Sequence, residues 1–83
     1  MNGQPRIRQT WLEVPCDAPD IAKVYMAVGA TTPRDDQWQG AFRDTDDKGV
    51  RVAKIKAPAV LNPDHVWLKV DGVATRSSRR YTL

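Results

Sequence analysis

The chain has 83 residues, which is long enough for a single small domain. It contains one cysteine, Cys16, and one histidine, His65. It can therefore form no internal disulfide, and it lacks the four Cys/His ligands of a typical structural zinc site. Hydrophobic residues make up 41% and charged residues 28%, which is ordinary for a globular domain that depends on packing or on an oligomer interface. The net charge is +3 and is unevenly distributed. Residues 1–47 hold five Lys/Arg and eight Asp/Glu, whereas residues 48–83 hold eight Lys/Arg and two Asp. This asymmetry favours an anionic partner unless folding interleaves the two halves.

The first predicted element is a strand in RQTWLEVP, residues 8–15. Leu12 and Val14 alternate with Trp11 and Glu13, which is the period of two that indicates a strand. Pro15 ends the pattern. We therefore expect Leu12 to face the core and Trp11 to point away from it.

The second predicted element is a helix in CDAPDIAKVYMAVGA, residues 16–30. Asp17 is a candidate N-cap, Pro19 suits the first turn and Gly29 suits the C-terminal stop. An apolar stripe at positions i, i+3, i+4 and i+7 supports the prediction. Its members are Ile21, Val24, Tyr25 and Val28. A helix this short needs a surface to pack on, and a sheet is the expected one.

The remaining segments predict strands joined by turns. QWQGAFRD (37–44) is predicted as one strand, with Trp38, Gly40 and Phe42 on one side. In VRVAKIKA (50–57) the apolar residues shift from even positions to odd positions, and this shift predicts a bulge at Ala53-Lys54. Such a bulge would turn Arg51 and Lys56 outward together. VWLKV (66–70) precedes Asp71-Gly72, a strong hairpin signal, and residues 73–83 would form the returning strand.

These elements predict an α+β fold of order β-α-β-β-β-β, with one helix packed on a curved antiparallel sheet. A small β-barrel with the helix as a plug is the alternative. Residues 1–83 form a single domain in this interpretation, and its ends, residues 1–8 and 77–83, are expected to be flexible.

Metal and enzyme chemistry have little support in the sequence. DTDDKG (44–49) matches part of a calcium-binding loop, but Lys48 and Ile55 occupy ligand positions, so a hairpin turn is expected. Cys16 is predicted to be a small buried residue near the helix start and His65 a surface turn residue, with nothing to bring them together. No phosphate-binding glycine loop or nucleophile elbow is present. We predict a protein that is not an enzyme and has no cofactor.

A basic and aromatic face is the strongest functional candidate. If Leu12 and Leu68 face the helix, Trp11 and Trp67 lie together on the other face of the sheet with nearby cations, an arrangement suited to single-stranded nucleic acid. The same patch also suits a protein partner, and burial of the tryptophans in the core is the third possibility. The predicted contact residues are Trp11, Arg51, Lys54, Lys56, Trp67, Lys69, Arg76, Arg79, Arg80 and Tyr81.

The basic C-terminal run leaves three alternatives open: phosphate contact, a docking strand or a solvated end. The leading prediction is a nucleic-acid-binding module for DNA or RNA, with about four phosphate contacts and a log–log salt slope near −3 to −4. The alternative is a protein-interaction module, either an inhibitor or an oligomer subunit, for example a homo-oligomer.

The size, the basic end and the free cysteine suit an accessory protein of a virus or mobile element. No apolar run would span a membrane and no secretory signal is recognised, so a cytoplasmic location is expected.

Overall fold

Alternating inward and outward side chains organise this chain into β-strands throughout the residues described. The computed structural model describes residues 5–57 and 65–76. Within them the strands are β1 Arg6–Arg8, β2 Trp11–Pro15, β3 Val24–Gly29, β4 Gln39–Gly40, β5 Phe42–Thr45, β6 Arg51–Lys56, β7 His65–Val70 and β8 Val73–Arg76. A single turn of 3₁₀-helix at Asp35–Gln37 precedes β4.

The strands form two antiparallel sheets. Sheet A has the order β1-β2-β6-β5, and sheet B has the order β4-β3-β7-β8. In sheet A, Leu12 lies opposite Ile55; in sheet B, Met26 lies opposite Leu68. Because residues opposite each other share a face, these two pairs define the inner face of each sheet.

The inner faces of the two sheets enclose one hydrophobic core. Sheet A and sheet B contribute similar numbers of buried apolar side chains, and Cys16 joins them from the end of β2. The core cluster consists of Leu12, Val14, Cys16, Val24, Met26, Ala53, Ile55, Val66 and Leu68. Full burial of one large apolar side chain contributes about 1.5–3 kcal/mol, so this cluster is the main favourable term in folding.

The predicted helix is wrong, and with it both the α+β class and the barrel with a plug helix. Residues 24–29 form strand β3, and the described residues include no α-helix. Val24 and Met26 point into the core while Tyr25 between them is exposed, which is a strand alternation. The stripe read as helical also fits this alternation, because two of its members, Val24 and Val28, are four residues apart and so share a strand face as well as a helix face.

The segment before β3 is held in a turn by Arg43 of strand β5. The Arg43 guanidinium donates hydrogen bonds to the carbonyl oxygens of Cys16 at 2.8 Å and Ala18 at 2.9 Å. It also donates to the Pro19 carbonyl at 3.3 Å. In a helix these carbonyls would accept from amides four residues later. Arg43 takes those of Cys16 and Ala18, and the Pro19 carbonyl also accepts from the Ala22 amide at 2.9 Å, so these residues form a turn in place of a first helical turn.

Two further strand predictions need correction. Residues 37–44 are not one strand, because the chain leaves sheet B after β4 and enters sheet A at β5. The pairing of β6 with β2 and β5 is continuous, so there is no bulge at Ala53-Lys54. Val52 therefore lies on the outer face with Lys54 and Lys56, and Arg51 lies on the opposite face of the strand.

The turn predictions are confirmed. Asp71 and Gly72 have φ of 48° and 86° and join β7 to β8, as a tight hairpin requires. Residues 46–50 close the β5–β6 hairpin, where the Asp46 carboxylate accepts from the amides of Lys48 at 2.8 Å and Val50 at 2.9 Å.

Candidate functional site

The structure distributes the predicted contact residues over two faces that point away from the shared core. Trp11, Lys54 and Lys56 lie on the outer face of sheet A, whereas Trp67, Lys69 and Arg76 lie on the outer face of sheet B. The expectation that Trp11 and Trp67 share one face of one sheet is wrong, because the two tryptophans belong to different sheets.

The other predicted contact residues lie apart from both groups. Arg51 is half-buried at the start of β6, where its guanidinium forms an ion pair with Asp20 and donates to the Thr45 hydroxyl at 3.2 Å. Arg79, Arg80 and Tyr81 lie outside the described residues. The three alternatives for the C-terminal run therefore remain predictions.

Aromatic rings and cations alternate on the outer face of sheet B. We call this surface the sheet B face and define it by Tyr25, Trp38, Trp67, Lys69 and Arg76. The antiparallel register places Tyr25 opposite Lys69 and Trp67 opposite Arg76. The Lys69 ammonium lies 4.6 Å from the centre of the Trp38 ring and 5.3 Å from that of Tyr25. One cation thus contacts two rings, that of Tyr25 on β3 and that of Trp38 immediately before β4.

The Trp67 side chain is fixed by a hydrogen bond to the neighbouring strand. Its Nε1 donates to the carbonyl oxygen of Gly29 at 2.9 Å. Ala27, directly opposite Trp67 in the register, is only 1% exposed although it lies on an outer face. The indole therefore has a defined position and is half-buried, while Tyr25 is 38% exposed.

The cations of the sheet B face have no acidic neighbour in the strand register. Within the described part of the chain, neither Lys69 nor Arg76 forms an ion pair. The positions in register on this face carry aromatic, small or basic side chains and no carboxylate. The nearest acids along the chain are Asp36, before Trp38, and Asp71, in the β7–β8 turn. The two cations of this face therefore have no competing carboxylate in the register.

Sequence reasoning missed Tyr25 and Trp38 as members of this site. Tyr25 had been assigned to a helical stripe, and Trp38 to a continuous strand beside Phe42. The signal that was present is the alternation of Val24, Tyr25 and Met26, which puts the tyrosine outward on a strand. Trp38 had no comparable signal, because its neighbours on the face come from distant strands.

The outer face of sheet A also carries rings and cations, and we call it the sheet A face. Trp11 and Phe42 make an edge-to-face contact with ring centres 5.6 Å apart. Two ammonium groups lie over the Trp11 ring, that of Lys54 at 4.6 Å and that of Lys56 at 5.4 Å. Phe42 is 61% exposed. By ring and cation alone, the two faces look alike.

The sheet A face differs from the sheet B face because it contains a buried carboxylate. Glu13 lies beside Trp11 on strand β2 and is only 1% exposed. It accepts hydrogen bonds from Nε of Arg6 at 2.9 Å and from Nε of Arg8 at 3.0 Å. The hydrogen bond to Glu13 raises the pKa of Arg8. The pKa of Arg6 is also raised, most by its hydrogen bond to Asp47 and next by its hydrogen bond to Glu13.

Three aspartates complete the ion pairing of the sheet A face. Lys54 donates to Asp44 at 2.7 Å, and Arg6 donates to Asp47 at 2.8 Å. The pKa of Asp44 is lowered mainly by the bond from Lys54, and that of Asp47 by the bond from Arg6. The pKa of Asp46 is lowered chiefly by the Val50 amide. Most charges on this face are satisfied within the protein.

A small pocket next to this network has little to offer a ligand. It measures about 160 Å³, well below the roughly 300–1,000 Å³ of a typical ligand pocket. Both signs of charge line it, from Arg6, Lys48, Glu13 and Asp46. We assign it no substrate.

Cys16 and His65 are not brought together. Cys16 is buried in the core, as expected, whereas His65 is the first residue of β7 and lies on the outer side of sheet B rather than in a turn. Within residues 5–57 and 65–76, no group of three or more His, Cys, Asp or Glu side chains is arranged to hold a metal ion. Over the same residues, no helix has the length and apolar character needed to cross a membrane.

Comparisons with known proteins give no relative: no protein-family model matches the chain, and neither the curated proteins nor the solved structures contain a match.

Proposed function

We propose that this protein is a small non-enzymatic binding module that contacts nucleic acid through the sheet B face. The observation that supports the proposal is the Lys69 ammonium held against the Tyr25 and Trp38 rings, with Trp67 and Arg76 beside them. Rings that stack with bases and cations that pair with phosphates are the two components of a nucleic-acid platform.

The energetic case rests on both components. A base stacked on an aromatic side chain contributes about 1–3 kcal/mol. Each phosphate neutralised by a lysine or arginine releases counterions, which favours binding at low salt. Lys69 and Arg76 have no ion pair to break among the described residues, so this gain is not offset by the loss of a salt bridge.

The charge of the whole chain points in the same direction. The net charge is +3, and Arg79, Arg80 and Tyr81 follow β8 in the sequence. We include these three residues in the proposed contact surface on the basis of their sequence position alone. Together with Lys69 and Arg76 they give about four cations for phosphate contact.

A direct test compares two double variants of equal charge. Lys69→Ala/Arg76→Ala removes the cations of the sheet B face, and Lys48→Ala/Lys56→Ala removes two exposed lysines from elsewhere. Fluorescence anisotropy with a labelled single-stranded oligonucleotide is measured at about 50 mM and about 200 mM salt. We expect the first variant to lose at least about tenfold in affinity and its log–log salt slope to become shallower by about 1.4, at about 0.7 per phosphate.

The matched variant should keep wild-type affinity within about twofold, because its lysines are outside the proposed surface. An equal loss in both variants would mean that only net charge matters. Absence of binding by the wild-type protein to single-stranded or duplex DNA or RNA at the lower salt concentration would end the nucleic-acid proposal.

A protein-interaction module is the second candidate function, and the exposed Phe42 ring beside Trp11 favours it. Exposed aromatic rings often mark contact surfaces in protein interfaces. Light scattering measures whether the chain self-associates, and Phe42→Ser is compared with Ile21→Ser, which removes another exposed apolar side chain. A monomer in all three cases would argue against a homo-oligomer formed through this ring.

We place this function in the cytoplasm, because Cys16 is a free thiol and reducing compartments keep thiols unpaired. Cell fractionation of the native protein tests this location. Recovery from an oxidising compartment or outside the cell would contradict it.

A further inference from the structure

The sheet B face has the geometry of two neighbouring nucleotide subsites. From this geometry, and resting on the proposed function, we infer that its ligand is single-stranded nucleic acid bound with its bases unstacked from each other. The first subsite consists of Tyr25, Trp38 and Lys69, and the second of Trp67 and Arg76. Each subsite combines aromatic surface with one cation.

Single-stranded ligand follows from what the rings can contact. In a duplex each base is stacked between its neighbours, so its flat surface is closed to side chains. A protein that only contacted duplex phosphates would gain nothing from three rings on the same face as its cations. The rings of Tyr25, Trp38 and Trp67 have a partner of matching shape only when bases are unpaired.

The spacing of the subsites indicates an extended ligand. Lys69 and Trp67 are two residues apart on strand β7 and point to the same face, so their attachment points are about 6.6 Å apart. Successive nucleotides in a stacked strand rise by only about 3.4 Å. Two adjacent nucleotides reach both subsites when the backbone is stretched to about twice that rise, which separates their bases.

The position of Lys69 also suggests how the first subsite fills. Its ammonium rests against the Trp38 and Tyr25 rings. A base that stacks on either ring takes that position, and the displaced ammonium then pairs with the phosphate of the same nucleotide. Arg76, opposite Trp67 in the register, would supply the phosphate contact of the second subsite.

This extended mode predicts an order among ligands. A run of thymidines stacks weakly and stretches easily, whereas a run of adenosines must first be unstacked. We expect an oligothymidylate octamer to bind a few-fold more tightly than an oligoadenylate octamer. A hairpin duplex with a similar number of phosphates should bind at least about tenfold more weakly than oligothymidylate.

The experiment measures the three ligands by fluorescence anisotropy with the wild-type chain and with two ring variants. Tyr25→Ala removes an exposed ring of the first subsite, and Phe42→Ala removes an exposed ring from the sheet A face as the matched control. We expect Tyr25→Ala to weaken oligothymidylate binding by about fivefold or more, while its duplex binding is unchanged. Phe42→Ala should change neither. Trp67→Phe, which keeps a ring but loses the hydrogen bond to Gly29, should weaken oligothymidylate binding by a smaller factor.

The outcomes separate this inference from the function on which it rests. Duplex binding as tight as oligothymidylate binding would overturn the single-strand ligand and leave nucleic-acid binding intact. Tighter binding of oligoadenylate would overturn the unstacked geometry. Failure to bind any of the three at low salt would overturn the proposed function itself.

Discussion

The two outer faces of this protein contain similar aromatic and basic side chains, but only one of them pairs its cations with carboxylates. On the sheet A face, Arg6, Arg8 and Lys54 lie against Glu13, Asp44 and Asp47. On the sheet B face, Lys69 and Arg76 have no carboxylate beside them in the register. A cluster of rings and cations therefore does not by itself identify a binding surface. The distribution of acids decides whether the charge is used inside the protein or presented to a partner.

The comparison predicts that charge removal has opposite consequences on the two faces. On the sheet A face a lost charge should cost stability, because its partners remain without compensation. On the sheet B face a lost charge should cost ligand affinity and leave the fold intact.

The largest stability effect is expected from Glu13→Ala. The substitution removes the acceptor of two guanidinium hydrogen bonds and opens a gap at a position that is 1% exposed. Loss of one partner from a fully buried ion pair costs about 3–5 kcal/mol, but solvent reaches both arginines, so we expect about 2–3 kcal/mol. Urea unfolding measures it. A loss below about 0.5 kcal/mol would show that the network is only superficial.

The next effect is expected from Arg43→Lys, which keeps the charge but not the planar set of donors. The guanidinium holds the carbonyls of Cys16 and Ala18 at 2.8 and 2.9 Å, and a single ammonium cannot satisfy both in the same geometry. We expect a loss of about 1–2 kcal/mol in urea unfolding. Arg76→Lys on the sheet B face is the matched control and should change stability by less than about 0.5 kcal/mol.

Acid should reduce the stability that three aspartates near the sheet A face contribute to the fold. The pKa values of Asp44, Asp46 and Asp47 are lowered by folding, through Lys54, the Val50 amide and Arg6 respectively. A carboxylate with a lowered folded-state pKa contributes stability above its unfolded pKa, about 3.9, and loses that contribution as the pH falls through the folded value. Stability should therefore decline as the pH falls below about 4.

Asp46→Asn sharpens this prediction. The amide keeps an oxygen for the turn but has no acidic proton to titrate, so the variant should be less stable near neutral pH and its stability should depend less steeply on pH below 4. Thermal unfolding followed by circular dichroism at several pH values measures both effects. An acid decline as steep as that of the wild-type chain would assign the effect to other carboxylates.

Local turn chemistry made part of this fold predictable. Asp71-Gly72 specified its hairpin because a tight turn needs two residues that tolerate positive φ. Strand β2 was equally visible, since Leu12 and Val14 alternate with Trp11 and Glu13. In both cases the information lies within a few residues, and the interactions that stabilise the element are consistent with it.

The helix error shows where local patterns fail. The stripe through Val24 and Val28 fits either secondary structure, and the choice is made by contacts distant in sequence. Arg43 takes the carbonyls of Cys16 and Ala18 from 27 and 25 residues away. Strand β7 then supplies hydrogen-bonding partners along the whole of β3. Neither contact has a signature in residues 16–30.

The candidate site was predictable to a similar extent. The alternation in VWLKV correctly put Trp67 and Lys69 on the same face. Their companions Tyr25 and Trp38 reach that face only through the pairing of β3 with β4 and β7. Without knowledge of two sheets, sequence parity joined Trp67 to Trp11, which belongs to the other side of the molecule.

The smallest stability effect is expected from Lys69→Ala, and it is the most informative. The ammonium contacts two rings at a partly exposed position, where a cation–π contact contributes about 0.5–1 kcal/mol. Its removal also relieves repulsion among the cations of a basic protein, so the net change in unfolding free energy should be below about 0.5 kcal/mol. Urea unfolding and oligonucleotide anisotropy are measured on the same preparation.

In that preparation, affinity for single-stranded oligonucleotide should fall several-fold while the unfolding midpoint is unchanged. Glu13→Ala should behave in the opposite way at a temperature where it remains folded, with lower stability and affinity within about twofold of wild type. If Lys69→Ala instead destabilised the chain as much as Glu13→Ala and left oligonucleotide affinity unchanged, the cations of both faces would be structural. The distinction between an internally neutralised face and a presented face would then have no functional meaning.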